Sequence, residues 1–357
     1  MSAVGPIAGS VAFVLCMILV PIAMRLCHRW RLLDPPGPLK IHSQPIPRLG
    51  GVAIVIAIFS TSCFEGFRSA LPTWPFFAAM ALIWAVGLAD DVRNLSPLSR
   101  LAAQVAAAIV LWSGGWHLPA LVNTPVGEAF NLGATCVFVV ALVNALNLLD
   151  GSDGLAAGVA AIIAAAYAAF PGAVRDPFAV SVAWSFLGAC AGFLLFNFPP
   201  ARIFLGDSGS TVLGFGVAFL GLDFYRSNSA IGTQWFFPFF VAGLPLLDAL
   251  LAVIRRLRSR GSPVYGDRAH IYDLVMARGW SPRRVALVCY AITFVLAADG
   301  WLGVRGGLVR FVVVSALTLG ALLAAATHLG ALRTTSPNQR SAARTHRVGE
   351  KDAGSLA

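Results

Sequence analysis

Five aspartates stand out in an otherwise oily chain. "GLADD" ends on the adjacent pair Asp90 and Asp91, "NALNLLDGSDG" carries Asp150 and Asp153, and "FLGDSGS" carries Asp207. A charge at the centre of a bilayer costs on the order of 3 kcal/mol. The cost is smaller at a helix end, where a solvated cap accounts for any one acid. Five acids, each flanked by Gly, Asn or a basic residue, ask for more. Adjacent carboxylates disfavour joint ionisation unless a cation lies near. A hard divalent ion suits them, because Mg²⁺ takes one or two carboxylates along with waters and phosphate oxygens. Asn144 and Asn147 add amide oxygens as ligands or hydrogen-bond partners, and their spacing puts them on one helix face that Asp150 would continue.

Other segments offer groups for anions. Gly206, Asp207 and Ser208 lead straight into an apolar run. Small residues there allow backbone N–H groups to cradle an anion at a helix start, or serve only as a tight interhelical turn. The same string occurs in serine proteases, but no Ser/His/Asp set accompanies it here. "KIHSQPIPRLGG" supplies Lys40, His42 and Arg48, and "GDRAHIYDL" supplies Arg268 and His270. These cations fit a diphosphate. The alternatives are loop charges that set topology and, for the second segment, contact with anionic lipid. Ile271, Leu274 and Val275 would form one face of a short amphipathic helix.

The elements that must position these residues are membrane helices. Of the 357 residues 58% are hydrophobic and 12% charged, about half the charged share of a soluble domain. Mean hydropathy is +0.77. Apolar runs long enough to cross a hydrocarbon core recur throughout. The expected spans are 4–26, 50–66, 74–89, 101–116, 132–149, 155–170, 178–196, 209–224, 232–254, 284–302 and 307–329. This describes an all-α polytopic membrane protein of about eleven helices, one domain over 1–330 and a disordered polar tail over 331–357. No internal repeat is evident. The six cysteines are scattered singly, as small apolar residues are. Arg and Lys crowd one set of loops, so the positive-inside rule puts the N-terminus outside and the tail in the cytoplasm. The net charge of +10 is then a topology signal, and a nucleic-acid partner is not expected. All five chemical segments fall on the cytoplasmic side, as one active site would. A transporter using the acids as an ion path would instead spread them through the bilayer depth.

"GLADD", "NALNLLDGSDGLAAG", "FLGDSGS" and "KIHSQPIPRLGG", in their order along the chain, resemble the polyprenyl-phosphate N-acetylhexosamine-1-phosphate transferases of glycosyltransferase family 4, and within them the branch that makes lipid-linked GlcNAc-1-phosphate. The resemblance covers about Lys40 to Arg284. It implies a multi-pass protein of the bacterial inner membrane with a cytoplasmic cleft and Mg²⁺, or alternatively Mn²⁺, dependence. The reaction implied joins UDP-N-acetylhexosamine and undecaprenyl phosphate and releases UMP, the first membrane step of a cell-surface polysaccharide pathway; a homodimer is compatible with it. Carried over by motif, Asp207 and Asn147 would ligate the metal. Asp90, Asp91, Asp150 and Asp153 would form the catalytic set, the first two toward the acceptor phosphate or the metal, the last two near nucleotide and metal. Arg48 and His270 would contact phosphates, with Lys40, Arg100, Asn144, Gly206, Ser208 and Arg268 completing the substrate-binding set. Some relatives carry successive histidines in the last loop where this chain has "HIYD". The alternative branch, muramoyl-pentapeptide transfer in peptidoglycan synthesis, is expected to show that run and a different first loop.

Overall fold

The computed structural model describes residues 4–36, 44–69, 72–119, 124–170, 173–228, 232–258 and 270–332. In chain order the helices are α1 (Val4–Trp30), α2 (Gly50–Gly66), α3 (Trp74–Arg93), α4 (Pro97–Ser113), α5 (Pro125–Leu149), α6 (Leu155–Ala169), α7 (Pro177–Asn197), α8 (Asp207–Ser227), α9 (Phe237–Val241), α10 (Gly243–Arg258), α11 (Ile271–Met276), α12 (Pro282–Arg305) and α13 (Leu308–His328). A two-residue ribbon pairs β1 (Leu33–Asp34) with β2 (Ile46–Pro47) in antiparallel register.

Each expected span falls on a helix, and the ninth is broken. A 3₁₀ turn and α9 meet α10 at a bend of 76°, just before Gly243 and Pro245, where the helical hydrogen-bond ladder is weakest. Among the described residues six helices are long and apolar enough to cross a membrane, or seven with the bent pair as one span; α2, α4 and α6 are apolar but shorter. The chain is therefore a multi-pass membrane protein, and eleven crossings stay an expectation of the sequence. The short helix expected to carry Ile271, Leu274 and Val275 is α11. The polar tail beyond Leu332 lies outside the described residues.

α8 is the axis of the bundle. Every residue from Ser208 to Tyr225 is buried, and α3, α5, α2 and α6 pack around it. Its composition explains why. Asp207, Asp223 and Arg226 make it too polar for lipid, while glycines let neighbours approach closely, as small residues do in membranes. A Cβ on Gly214 would lie 2.5 Å from Val143 Cα of α5. Away from the acid cluster α8 is clasped by aromatics, with Phe76 and Phe219 rings 4.5 Å apart. At that far end Trp116 Nε1 donates to Asp223 at 3.2 Å.

Candidate active site

The head of α8 is where the sequence motifs converge. α8 begins after Gly206, whose φ of +74° lies in the left-handed region that glycine enters freely. A Cβ there would also meet the Arg48 carbonyl at 2.6 Å and the Asp91 carboxylate at 2.8 Å. The loop before α8 is stitched to the start of α2: Gly50 N donates to Phe204 O at 2.9 Å and Gly51 N to Leu205 O at 2.8 Å. Phe204 N donates to Pro47 O of β2 at 2.8 Å. The "PRLGG" and "FLGDSGS" segments are thus one unit.

A helix start leaves four amides without intrahelical partners. Here Asp91 of α3 takes two of them from the side, Oδ1 from Asp207 N at 2.8 Å and Oδ2 from Ser208 N at 3.0 Å. Gly209 N and Ser210 N turn back to Gly206 O at 3.1 and 3.0 Å. The anion cradle expected at this turn is consequently already filled, because a neighbouring helix delivers its own anion. Ser208 Oγ is fully buried.

The remaining acids are held differently. Asp90 accepts from Arg100 Nη1 at 2.7 Å and from Leu95 N at the turn into α4, and its carboxylate lies within hydrogen-bonding reach of Asp207. Asp207 Oδ1 accepts from Asn147 Nδ2, which also donates to Ser210 Oγ at 3.0 Å. Asp153 accepts from Ala201 N at 2.9 Å, tying the α5–α6 turn to the loop before α8. Asp150, in that same turn, has its carboxyl raised well above the ordinary range by burial and then by the charges of Asp207, Asp91 and Asp153. Arg48 adds its charge near Asp91. Asn144 donates to Gln104 Oε1 of α4 at 2.6 Å.

A pocket opens beside this cluster between α3, α4 and α8. It is small, about 20 Å³, and Asp90, Arg100, Gln104, Asp207 and Thr211 line it together with Ile83, Val86, Gly87 and Ala103. On another side Tyr272 of α11 donates its hydroxyl to Leu148 O at 3.2 Å and rests against Gly151. His270, just before α11, stacks on Tyr272 with ring centroids 5.6 Å apart. Of the residues singled out in the sequence, Asp90, Asp91, Asn147, Asp150, Gly206, Asp207 and Ser208 come together directly. Arg48, Arg100, Asn144, Asp153 and His270 flank them, and Lys40, His42 and Arg268 lie outside the described residues. Sequence reasoning missed Gln104 and Asp248. Gln104 follows Arg100 by four residues on one helix face, and Asp248 is a lone acid in "GLPLLDALLA"; each left a faint signal of that kind.

The donor set accords with a hard divalent ion. Four carboxylates crowd one helix start, and among the described residues Arg100 of α4 is the one cation ion-paired with any of them. Among the described residues no three or more His, Cys, Asp or Glu side chains converge closely enough to cage an ion by themselves. An ion bound by two or three protein oxygens and completed by water and phosphate is the coordination Mg²⁺ prefers.

The glycosyl transferase family 4 model matches residues 73–225. A probable undecaprenyl-phosphate N-acetylglucosaminyl 1-phosphate transferase of Bacillus subtilis is 30% identical over 297 residues, 82% of each chain. The chain belongs to glycosyl transferase family 4. A decaprenyl-phosphate N-acetylglucosaminephosphotransferase of Mycolicibacterium smegmatis is 34% identical over 307 residues, 76% of this chain and 75% of that one. A phospho-N-acetylmuramoyl-pentapeptide-transferase of Desulforudis audaxviator is 30% identical over 345 residues, 84% of this chain and 98% of that one. The family 4 match spans α3 to α8 and so contains the whole acid cluster.

Proposed function

We propose that this family 4 member transfers N-acetylhexosamine-1-phosphate, with UDP-GlcNAc as donor, to undecaprenyl phosphate in the bacterial inner membrane, giving the lipid-diphospho-sugar and UMP. The observation that carries this reading is the crowding of Asp90, Asp91, Asp150 and Asp207 at the head of α8, with Arg100 ion-paired to Asp90 beside them. The relatives named for undecaprenyl- and decaprenyl-phosphate N-acetylglucosamine transfer support the substrates.

In the proposed reaction an oxygen of the lipid phosphate attacks the sugar-linked phosphorus, and the bond from that phosphorus to the bridging oxygen breaks, which leaves with UMP. A phosphate monoester is largely dianionic at neutral pH, so no side chain has to remove a proton. Catalysis then rests on positioning and on electrostatics. Arg100, fixed by Asp90, faces the acceptor phosphate, and Asp91 holds the start of α8 so that Asp207 stays in place. Asp207 and Asn147, with Asp150 beside them, would hold Mg²⁺, which when bound supplies charge neutralisation for the crowded acids and the diphosphate. Arg48 and His270 contribute cationic or donor groups toward the nucleotide side. The basic ends of α1, with His28 and Arg29, and of α10, with Arg255, Arg256 and Arg258, support a cytoplasmic side for this end of the bundle by the positive-inside rule.

Incubating purified protein with radiolabelled UDP-GlcNAc and undecaprenyl phosphate, with Mg²⁺ and with EDTA, tests the proposal. Labelled lipid and UMP should form only with the metal. A panel of UDP-sugars in the same assay identifies the sugar, and no transfer from any of them would sink the reading.

A further inference from the structure

Asp248 belongs to none of the motifs above, yet it is one of the most buried acids in the chain, 2% exposed. It lies on α10, just past the bend. A carboxylate so placed costs heavily unless its oxygens are paired, and both are. Oδ2 is 2.6 Å from His270 Nδ1, and Oδ1 accepts from Ile271 N at 2.8 Å. His270 is the N-cap of α11 but its side chain takes none of the helix's first amides, so Asp248 supplies that cap from another helix. A carboxylate accepts, so the shared hydrogen sits on Nδ1, and Nε2 is the ring nitrogen left for a ligand. The ring plane is fixed as well. Tyr272 stacks on it at an interplanar angle of 5°, and Tyr272 is itself anchored to Leu148, two residues before Asp150.

We infer that Asp248 is a positioning residue: it sets the tautomer and orientation of His270 so that Nε2 is presented to the diphosphate of the sugar nucleotide. This rests on the transferase reading above. A simpler role, in which Asp248 only bolts α10 to α11, predicts lost stability without any specific change toward the nucleotide.

A double-mutant cycle on the purified full chain separates the two. His270→Ala and Asp248→Asn should each raise KM for UDP-GlcNAc by a similar factor, on the order of tenfold, the range of one hydrogen bond to a charged group. KM for undecaprenyl phosphate should stay as in the parent. The double variant should be no worse than His270→Ala alone, because Asp248 acts through that ring. Factors that multiply in the double variant would overturn the inference, as would an Asp248→Asn chain with parental KM and a lowered unfolding midpoint. Should Asp248→Asn fail to fold, Asp248→Glu keeps the buried carboxylate but displaces it by a methylene. It should raise the same KM, and a parental value refutes the role. An active parent with independent variants sinks only the positioning role, whereas an inactive parent sinks the transferase reading itself.

Discussion

Asparagine at position 91 is the sharpest test of how the acids divide their work. Asp91 accepts from two buried backbone amides, at 2.8 and 3.0 Å. Asparagine is nearly isosteric but has one acceptor oxygen. Its amide nitrogen would face either Asp207 N or Ser208 N, leaving that donor unpaired. A hydrogen bond to a charged group contributes about 1.5–3 kcal/mol, and an orphaned buried donor adds to the loss, so about 3 kcal/mol is the expected cost. At roughly 2 cal/mol/K per residue of unfolding entropy, that lowers the midpoint by roughly 4 °C. Thermal unfolding of detergent-purified Asp91→Asn, followed by tryptophan fluorescence, should show this shift. Transfer should fall sharply in parallel at a temperature where the variant is folded, because the Asp207 backbone is what Asp91 anchors. A parental midpoint with abolished transfer would refute the reasoning, since Asp91 would then act on the reacting groups and not on the helix.

Asp207→Asn should behave in the opposite way: it removes a charge from a crowd of acids, so the metal-free protein should unfold at or above the parental midpoint while transfer is lost; a near-parental rate excludes Asp207 from the metal site. EDTA should abolish transfer and Mg²⁺ restore it, and Mg²⁺ should raise the unfolding midpoint of the parent but not of Asp207→Asn; equal shifts in both proteins would place the ion elsewhere. Gly206→Ala should cost at least about 1 kcal/mol from the left-handed φ alone, plus the clash with Arg48 O and Asp91, read as a lowered midpoint and transfer rate; unchanged values would contradict the loop geometry. Asp150 has its carboxyl raised from the ordinary value of 3.8, so below its folded-state pKa the folded chain holds a proton that the unfolded chain releases until the pH nears 3.8. Its contribution to stability in EDTA should therefore grow as pH falls through that window, and Asp150→Asn should lose that component in a pH series of unfolding midpoints.

Much of the architecture was legible because lipid imposes a simple rule: apolar runs of helical length marked a helix in every case. The rule is weakest where its premise is. α8 is sheathed by other helices and need not be apolar, so its Asp207, Asp223 and Arg226 weaken its hydropathy while its glycines, not its hydrophobics, explain its packing. The bend before α10 left a mark at Gly243 and Pro245, yet their spacing does not tell a bend from a straight span. Residue types showed which acids belong to the cluster, because carboxylates beside Gly and Asn at helix ends are costly without a purpose. Their partners come mostly from other helices, 48 residues away for Asp153, 60 for Asp207 and 116 and 117 for Asp91, and no local pattern encodes those.

Those partners change the meaning of the acidic cluster. Asp91, Asp153 and Asp248 each accept backbone amides from a different segment: the start of α8, the loop before it, and the start of α11. Helix starts near a membrane face have little water to satisfy their first amides, and a carboxylate from a neighbouring helix does so while opposing the positive end of the helix dipole. Asp90, Asp150 and Asp207 differ: beside the donors Leu95 N and Asn147, what surrounds them among the described residues is one ion-paired arginine and one another. A chain under selection for stability alone would lose such mutual repulsion, since an amide in place of one acid relieves it. That the crowding stands on a frame built by the other three acids supports the proposal that Asp90, Asp150 and Asp207 serve a cation and a phosphate. Transport is a poor fit to the same facts. The other buried acids of α8 and α12, Asp223 and Asp299, are each held by local donors, Trp116 and Ser227 for the first and Ser315 for the second. An ion path needs acids that hand a charge from one to the next, and these two are bound in separate local networks.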